Sequence, residues 1–170
     1  MTGKRICILG ISSSGKSTLA DKIGKAKGLD VLHLDAIAHI PNTKWERTDR
    51  EVFKKQHDEF IKKDKWVVEG CYSSLMPQRL KRADVVIFHK FNRLACVYRY
   101  IKREFSNKKK FGQPADMKKS ISWERIRYIL FSAYKKFDDY EKLIKENPHL
   151  KVIYVKSFKD VKKLTKDIIG

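Results

Sequence analysis

Cysteine is scarce in this sequence, and what there is pairs poorly: Cys7, Cys71 and Cys96 are odd in number, widely spaced and outside any CxxC. A disulfide framework and a structural zinc site are thereby excluded, and a reducing compartment is expected. Long apolar runs are missing as well, since none approaches the roughly 18 residues that a membrane span needs. Residues 1–10 lead straight into strand-like sequence, with no charged head or apolar signal core. A cytoplasmic chain with no membrane partner is the expectation. Acidic residues are the third shortage, 20 against 39 Lys and Arg, which leaves a net charge of +19. The excess is uneven, +6 over residues 1–85 and +13 over 86–170. Such a surface attracts polyanions, but any phosphate-binding protein needs the same cations, so nucleic acid is a possible partner and not the favoured one.

What is present is enough for one core. Of 170 residues 42% are hydrophobic and 35% charged, which suits one globular domain over 1–170 and is too apolar for a disordered chain. The size allows a monomer or a homodimer. Short apolar runs at 5–9, 31–34, 66–69, 84–88 and 151–155 alternate with helical patterns, the signature of a parallel sheet wrapped by helices. Residues 17–27 read as a helix, and so do 48–63, where Thr48 and Glu51 form a capping box and Val52, Phe53, Phe60 and Ile61 form the apolar face. Ile126, Ile129, Leu130, Ala133, Phe137, Tyr140 and Ile144 recur at steps of three and four, predicting one long helix that ends near Asn147-Pro148. A last helix starts near Ser157, with Val161, Leu164 and Ile168 inward. The Lys-rich stretch 104–120 fits neither strand nor core helix and reads as a basic, mobile lid, while 36–64 is an excursion over the acceptor side.

The decisive segment is Gly10-Ile11-Ser12-Ser13-Ser14-Gly15-Lys16-Ser17, a full GxxxxGK[ST] match placed directly after a strand and before a helix. Glycines at both ends let the loop turn its successive N–H groups toward a phosphate chain, and the helix that follows adds its dipole. The loop, with Ser12, Ser13, Ser14 and Thr18 beside it, is the expected ATP site; Lys16 reaches the β and γ phosphates and the Ser17 hydroxyl ligates Mg²⁺. In an open parallel sheet ligands gather beyond the carboxyl ends of the strands, so Asp35 and Glu69 share that rim. Glu69 is the candidate magnesium carboxylate. Asp35 reads either as a general base for a hydroxyl acceptor or as a carboxylate that holds magnesium and positions the substrate. His33 reads as a satisfied strand residue, no zinc site is proposed, Cys7 reads as core, and Trp45 is a packed anchor or part of an acceptor lid.

The P-loop, the HLD at 33–35, the EGCYS at 69–73 and the pair Arg99 and Arg103 ahead of a basic stretch resemble the small P-loop kinases built as adenylate kinase is, and within them the bacterial topology modulation proteins. That resemblance implies a P-loop three-layer α/β sandwich with a five-stranded parallel sheet in the order 2-3-1-4-5, helices on both faces and a basic lid. It implies ATP and Mg²⁺ as cofactors and a small-molecule phosphoryl acceptor. It puts Arg99 near the adenine or the phosphates, Arg103 in the lid as a catalytic arginine beside Lys16 and Asp35, Arg125 and Arg127 on the lid's far side, and Lys156 and Ser157 at the adenine pocket. The acceptor would lie between Asp35 and 69–79, with Gly70 allowing close approach, Tyr72 lining the site and Arg79 clamping an anionic acceptor unless it is simply exposed. The chain departs from the pattern in having Glu69-Gly70 for the usual Asp-Gly and His89-Lys90 where many relatives have an Asp. The expected activity is transfer of the γ-phosphoryl of ATP to a nucleotide-like or hydroxyl-bearing acceptor. An ATP-switched, nucleic-acid-associated protein is the alternative, and a plain hydrolase a third reading.

Overall fold

The computed structural model describes residues 3–41, 43, 46–105 and 121–169. Trp45 and residues 106–120 of the expected lid therefore lie outside the described residues. Five strands form one sheet: β1 (Arg5–Gly10), β2 (Asp30–His33), β3 (Trp66–Glu69), β4 (Val85–His89) and β5 (Lys151–Val155). Their order is β2-β3-β1-β4-β5 and every pairing is parallel. Because β1, β3 and β4 are covered on both faces, their residues carry no alternation and are buried almost without interruption.

Three strands differ from expectation by one residue: β1 runs on to Gly10, and β2 and β4 are each shifted by one. β2 ends at His33, and Leu34 opens a short helix, α2 (Leu34–Ile37), whose first turn carries Asp35. The strand leaves the sheet there because its partner does: Gly70 follows β3 at φ 126°, and a Cβ on it would lie 2.9 Å from Leu34 Cβ. β4 starts at Val85, and just before it Asp84 caps the neighbouring strand, accepting from the Lys4 and Arg5 backbone N–H groups at 2.9 Å each and pairing with the Arg5 guanidinium at 2.6 Å.

The helices are α1 (Lys16–Lys27), α3 (Arg50–Ile61), α4 (Met76–Arg82), α5 (Arg93–Glu104), α6 (Trp123–Arg127), α7 (Ala133–Lys135), α8 (Phe137–Lys145) and α9 (Phe158–Ile169). α1 packs with α9, and α4 with α3 and α8, so both faces of the sheet are covered. α3 starts later than expected, and Thr48 is not its cap: the Thr48 N–H is tied back to the Ala38 carbonyl, and Asp49 caps the helix by accepting from Glu51 N and Val52 N at 2.9 and 3.1 Å. Its buried face is Phe53, His57 and Ile61, while Val52 is exposed. The single long helix expected over 126–144 is instead α6, a π-turn at Tyr128–Ser132, α7 and α8, interrupted again at Lys136. Its stripe survives the interruptions, with Ile126, Ile129, Ala133, Phe137, Tyr140 and Ile144 all buried. α9 begins with a reciprocal cap, Ser157 N donating to Asp160 and Asp160 N to Ser157 Oγ. Among the described residues no helix is long and apolar enough to cross a membrane.

Candidate active site

The loop from Gly10 to Lys16 needs backbone angles that side chains resist. Gly10 has φ 134°, and a Cβ there would strike the His89 carbonyl oxygen at 2.5 Å; Gly15, at φ 88°, is the left-handed N-cap of α1. Ser13 also sits in the left-handed region at φ 63°, a strained angle for a residue with a side chain. Ser14 is fully buried, Ser12 and Ser13 are half-buried, and Thr18 is exposed. Lys16 folds over the loop and donates from Nζ to the Ile11 carbonyl at 2.9 Å. An ammonium beside a tight loop at the N-terminus of a helix has the charge that an anion site requires.

Beside the loop, Glu69 ends β3 almost wholly buried. The Ser17 hydroxyl donates to its Oε1 at 2.9 Å, and His33 Nδ1 meets the same oxygen at 3.0 Å. The other ring nitrogen of His33 lies 3.2 Å from Asp21. Burial alone would raise the Glu69 carboxyl, but His33, Lys16 and Ser17 more than offset it and hold the group below the usual carboxylate range. His33 is lowered by burial and raised further by Glu69 and Asp21, so it titrates higher than an ordinary histidine. His33 is thus satisfied, as its sequence reading expects, but it is also wired into the site. The link follows from strand register, His33 standing opposite Glu69 at the ends of β2 and β3, which no local sequence spacing encodes.

A hydroxyl and a buried carboxylate side by side are hard oxygen donors of the kind magnesium takes. Among the described residues no cluster of three or more His, Cys, Asp or Glu could hold a metal ion alone.

On the same rim, Tyr72 donates its hydroxyl to Asp35 at 2.8 Å, and its ring packs edge-on against Phe53. Burial, then the neighbouring Asp35, raise the Tyr72 phenol, keeping it a donor. Arg79 occupies a different place from an exposed or ligand-facing residue. It is fully buried, and it donates to the Gly70 carbonyl at 3.1 Å and the Tyr72 carbonyl at 3.3 Å, so its guanidinium fixes the backbone that carries Gly70 and Tyr72. Cys71, between them, is anchored to Gly10, accepting from its N–H at 3.1 Å and donating to its carbonyl at 3.2 Å. The acceptor-side turn and the phosphate loop are therefore tied together.

Arg99 lies on α5 with its guanidinium 3.9 Å above the Phe158 ring, and one of its nitrogens is 3.7 Å from where a Cβ on Gly15 would be. Arg103, one turn further, is lowered by burial, then raised by Glu104 at 3.9 Å and lowered by Arg125; Asp35 also acts on it. The Ser122 N–H donates to the Tyr100 hydroxyl at 2.9 Å, which sets the first turn of α6, with Arg125, beside the last turn of α5. Arg127 is exposed, and Lys156 and Ser157 are occupied in capping α9. The residues that sequence reasoning left without a role are Cys71, Phe91, Phe158 and His89; all four bear on the loop directly or through one another.

A parallel sheet of this order with a phosphate-binding loop after β1 defines the P-loop kinase fold. No family model matches the chain, and no curated protein does either. Solved structures do. A shikimate kinase from Acinetobacter baumannii in complex with shikimate matches with TM-score 0.59 and 16% identity, over 99% of this chain and 92% of that one. Shikimate kinase from Aquifex aeolicus matches with TM-score 0.55 and 16% identity, over 97% and 93%. A gluconokinase from Sinorhizobium meliloti matches with TM-score 0.51 and 15% identity, over 96% and 88%. At such identities the likeness speaks for the fold. The finer likeness to topology modulation proteins finds no counterpart among these matches.

Proposed function

We propose that this chain is an ATP-dependent kinase that moves the γ-phosphoryl of ATP to a small hydroxyl-bearing acceptor. The observation that carries the reading is the Asp35 carboxylate, held by Tyr72 at 2.8 Å on the rim that also carries Lys16, Ser17 and Glu69. The fold neighbours titled shikimate kinase and gluconokinase support a small-molecule acceptor. Asp35 would take the hydroxyl proton as the acceptor oxygen forms its bond to the γ-phosphorus; the bond from that phosphorus to the bridging oxygen breaks, and ADP leaves with the electron pair. Lys16, Arg99 and Arg103 would neutralise charge on the phosphates, which guanidinium suits because it stays protonated and donates in a fork. Ser17 and Glu69 would hold magnesium, whose positive charge would be supplied to the phosphates. Arg79 serves the acceptor side by fixing the Gly70 to Tyr72 backbone. The nucleic-acid alternative has only the +19 charge in its favour.

The test is ADP release from Mg-ATP across a panel of polyols, hydroxy acids, nucleosides and nucleoside monophosphates, with Lys16→Ala as control. Release that depends on one hydroxyl-bearing class and vanishes in the control supports the reading. Release indifferent to every acceptor contradicts it.

A further inference from the structure

His89 ends β4 fully buried, in parallel register with Gly10 at the end of β1. Its Nδ1 lies 3.2 Å from the Ser14 carbonyl oxygen and 3.2 Å from Ser14 Oγ. A carbonyl can only accept, so the bond requires the proton on Nδ1. Nε2, buried and without a hydrogen-bond partner, is then the bare nitrogen of a neutral ring. Burial, followed by the nearby Lys16, pushes the imidazole pKa down to about 3, in keeping with that state.

The loop it touches is strained. Ser13 holds φ 63°, and a strained residue persists only where its surroundings over-determine it. His89 supplies two such constraints, its carbonyl oxygen filling the space beside Gly10 and its ring bonding the residue after Ser13. The ring is itself braced: it packs on Phe91 at 5.1 Å between centroids, Phe91 on Phe158 at 4.6 Å, and Phe158 under Arg99, which returns to Gly15. This circuit leaves the loop at Ser14 and rejoins it at Gly15 through β4, α9 and α5.

We propose that His89 is a positioning residue for the phosphate loop, a neutral donor that presets the loop for a triphosphate without adding negative charge beside Lys16. A carboxylate in its place could not donate to the Ser14 carbonyl when ionised, and it would repel the phosphates. The inference rests on the phosphate-binding half of the proposed function and not on the transfer step.

The experiment measures binding of Mg-ATP and of inorganic tripolyphosphate, which has no base or sugar, to the wild type and to His89→Asn, His89→Leu and His89→Asp, with thermal melts to establish folding. Asn keeps a neutral donor near the Nδ1 position and should hold both ligands within about threefold of wild type, whereas Leu should weaken both about tenfold, the value of one lost bond to a preset loop. Asp should weaken both by more than Leu, since an added charge acts at short range in a partly desolvated site. If Leu or Asp matches Asn, or if ATP weakens while tripolyphosphate does not, the inference is overturned. Should Leu fail to fold, the Asn and Asp pair decides alone. A wild type that binds neither ligand overturns this inference together with the proposed function, whereas equal binding by every variant overturns this inference only.

Discussion

The proposed phosphate side and the proposed acceptor side of the site are built differently. The phosphate side is wired: Ser17, Glu69, His33 and Asp21 form one bonded chain, Ser14 is held by His89, and Gly10 by Cys71, linking the ends of β1, β2, β3 and β4 to the first turns of α1. The acceptor side rests on a four-residue helix and a turn, α2 and the segment after β3, held by the Tyr72 to Asp35 bond and by Arg79 beneath. Among the described residues, α5, α6 and the turns that follow them leave Leu94, Tyr98, Phe105, Trp123 and Phe131 exposed. A triphosphate is the same in every enzyme that uses it, so its cradle can be rigid and preset. An acceptor varies, and short elements on a rigid rim are where such variation costs little stability.

Four changes would break or sharpen this contrast. Asp35→Asn should lower kcat by about 10² to 10⁴, the range for losing a general base, while leaving Mg-ATP affinity almost unmoved; steady-state kinetics beside ATP titration reads both. Lys16→Ala should strike the other side, lowering turnover by about 10² to 10³ and weakening ATP itself, as loss of a preset charge does. Tyr72→Phe removes one hydrogen bond to a carboxylate and should cost roughly tenfold in kcat/KM for the acceptor, with KM for ATP unchanged. Arg79→Met leaves the Gly70 and Tyr72 carbonyls buried without their donor, which should lower unfolding free energy by about 1–3 kcal/mol in denaturant melts and loosen the acceptor side first.

A smaller effect belongs to pH. His89, at about 3, and His57, which burial also lowers, bind fewer protons folded than unfolded. Their contribution to stability is complete above the ordinary histidine range and fades as pH falls through it toward the folded value. His33 runs the other way, its contribution present at low pH and lost as pH rises through its elevated pKa. Melts of wild type and His89→Asn between pH 7 and 4 should therefore diverge, the variant losing less stability on acidification.

The layout of the phosphate loop was legible in the sequence because a P-loop is contiguous: the strand before and the helix after Gly10, Gly15, Lys16 and Ser17 are both present. Asp35 and Glu69 were legible as acids at strand ends, although Asp35 proved to lie in the first turn of a short helix. What stayed hidden depends on register and burial. That His33 faces Glu69 and His89 faces Gly10 follows from which strands pair, and no local spacing encodes it. Arg79 looked like a surface or ligand-facing residue because its neighbours Lys81 and Arg82 are basic; only packing shows it turned inward beneath the Gly70 turn. The long helix over 126–144 carried a faithful apolar period, and periodicity cannot tell one helix from several that share a seam.

The most direct test follows the label from γ-labelled ATP in the presence of hydroxyl-bearing acceptors, with Asp35→Asn run alongside. The account predicts label in a new organic phosphate made by the wild type, and none made by Asp35→Asn although that variant still binds Mg-ATP. Label appearing only as inorganic phosphate, at the same rate in both proteins, would contradict it.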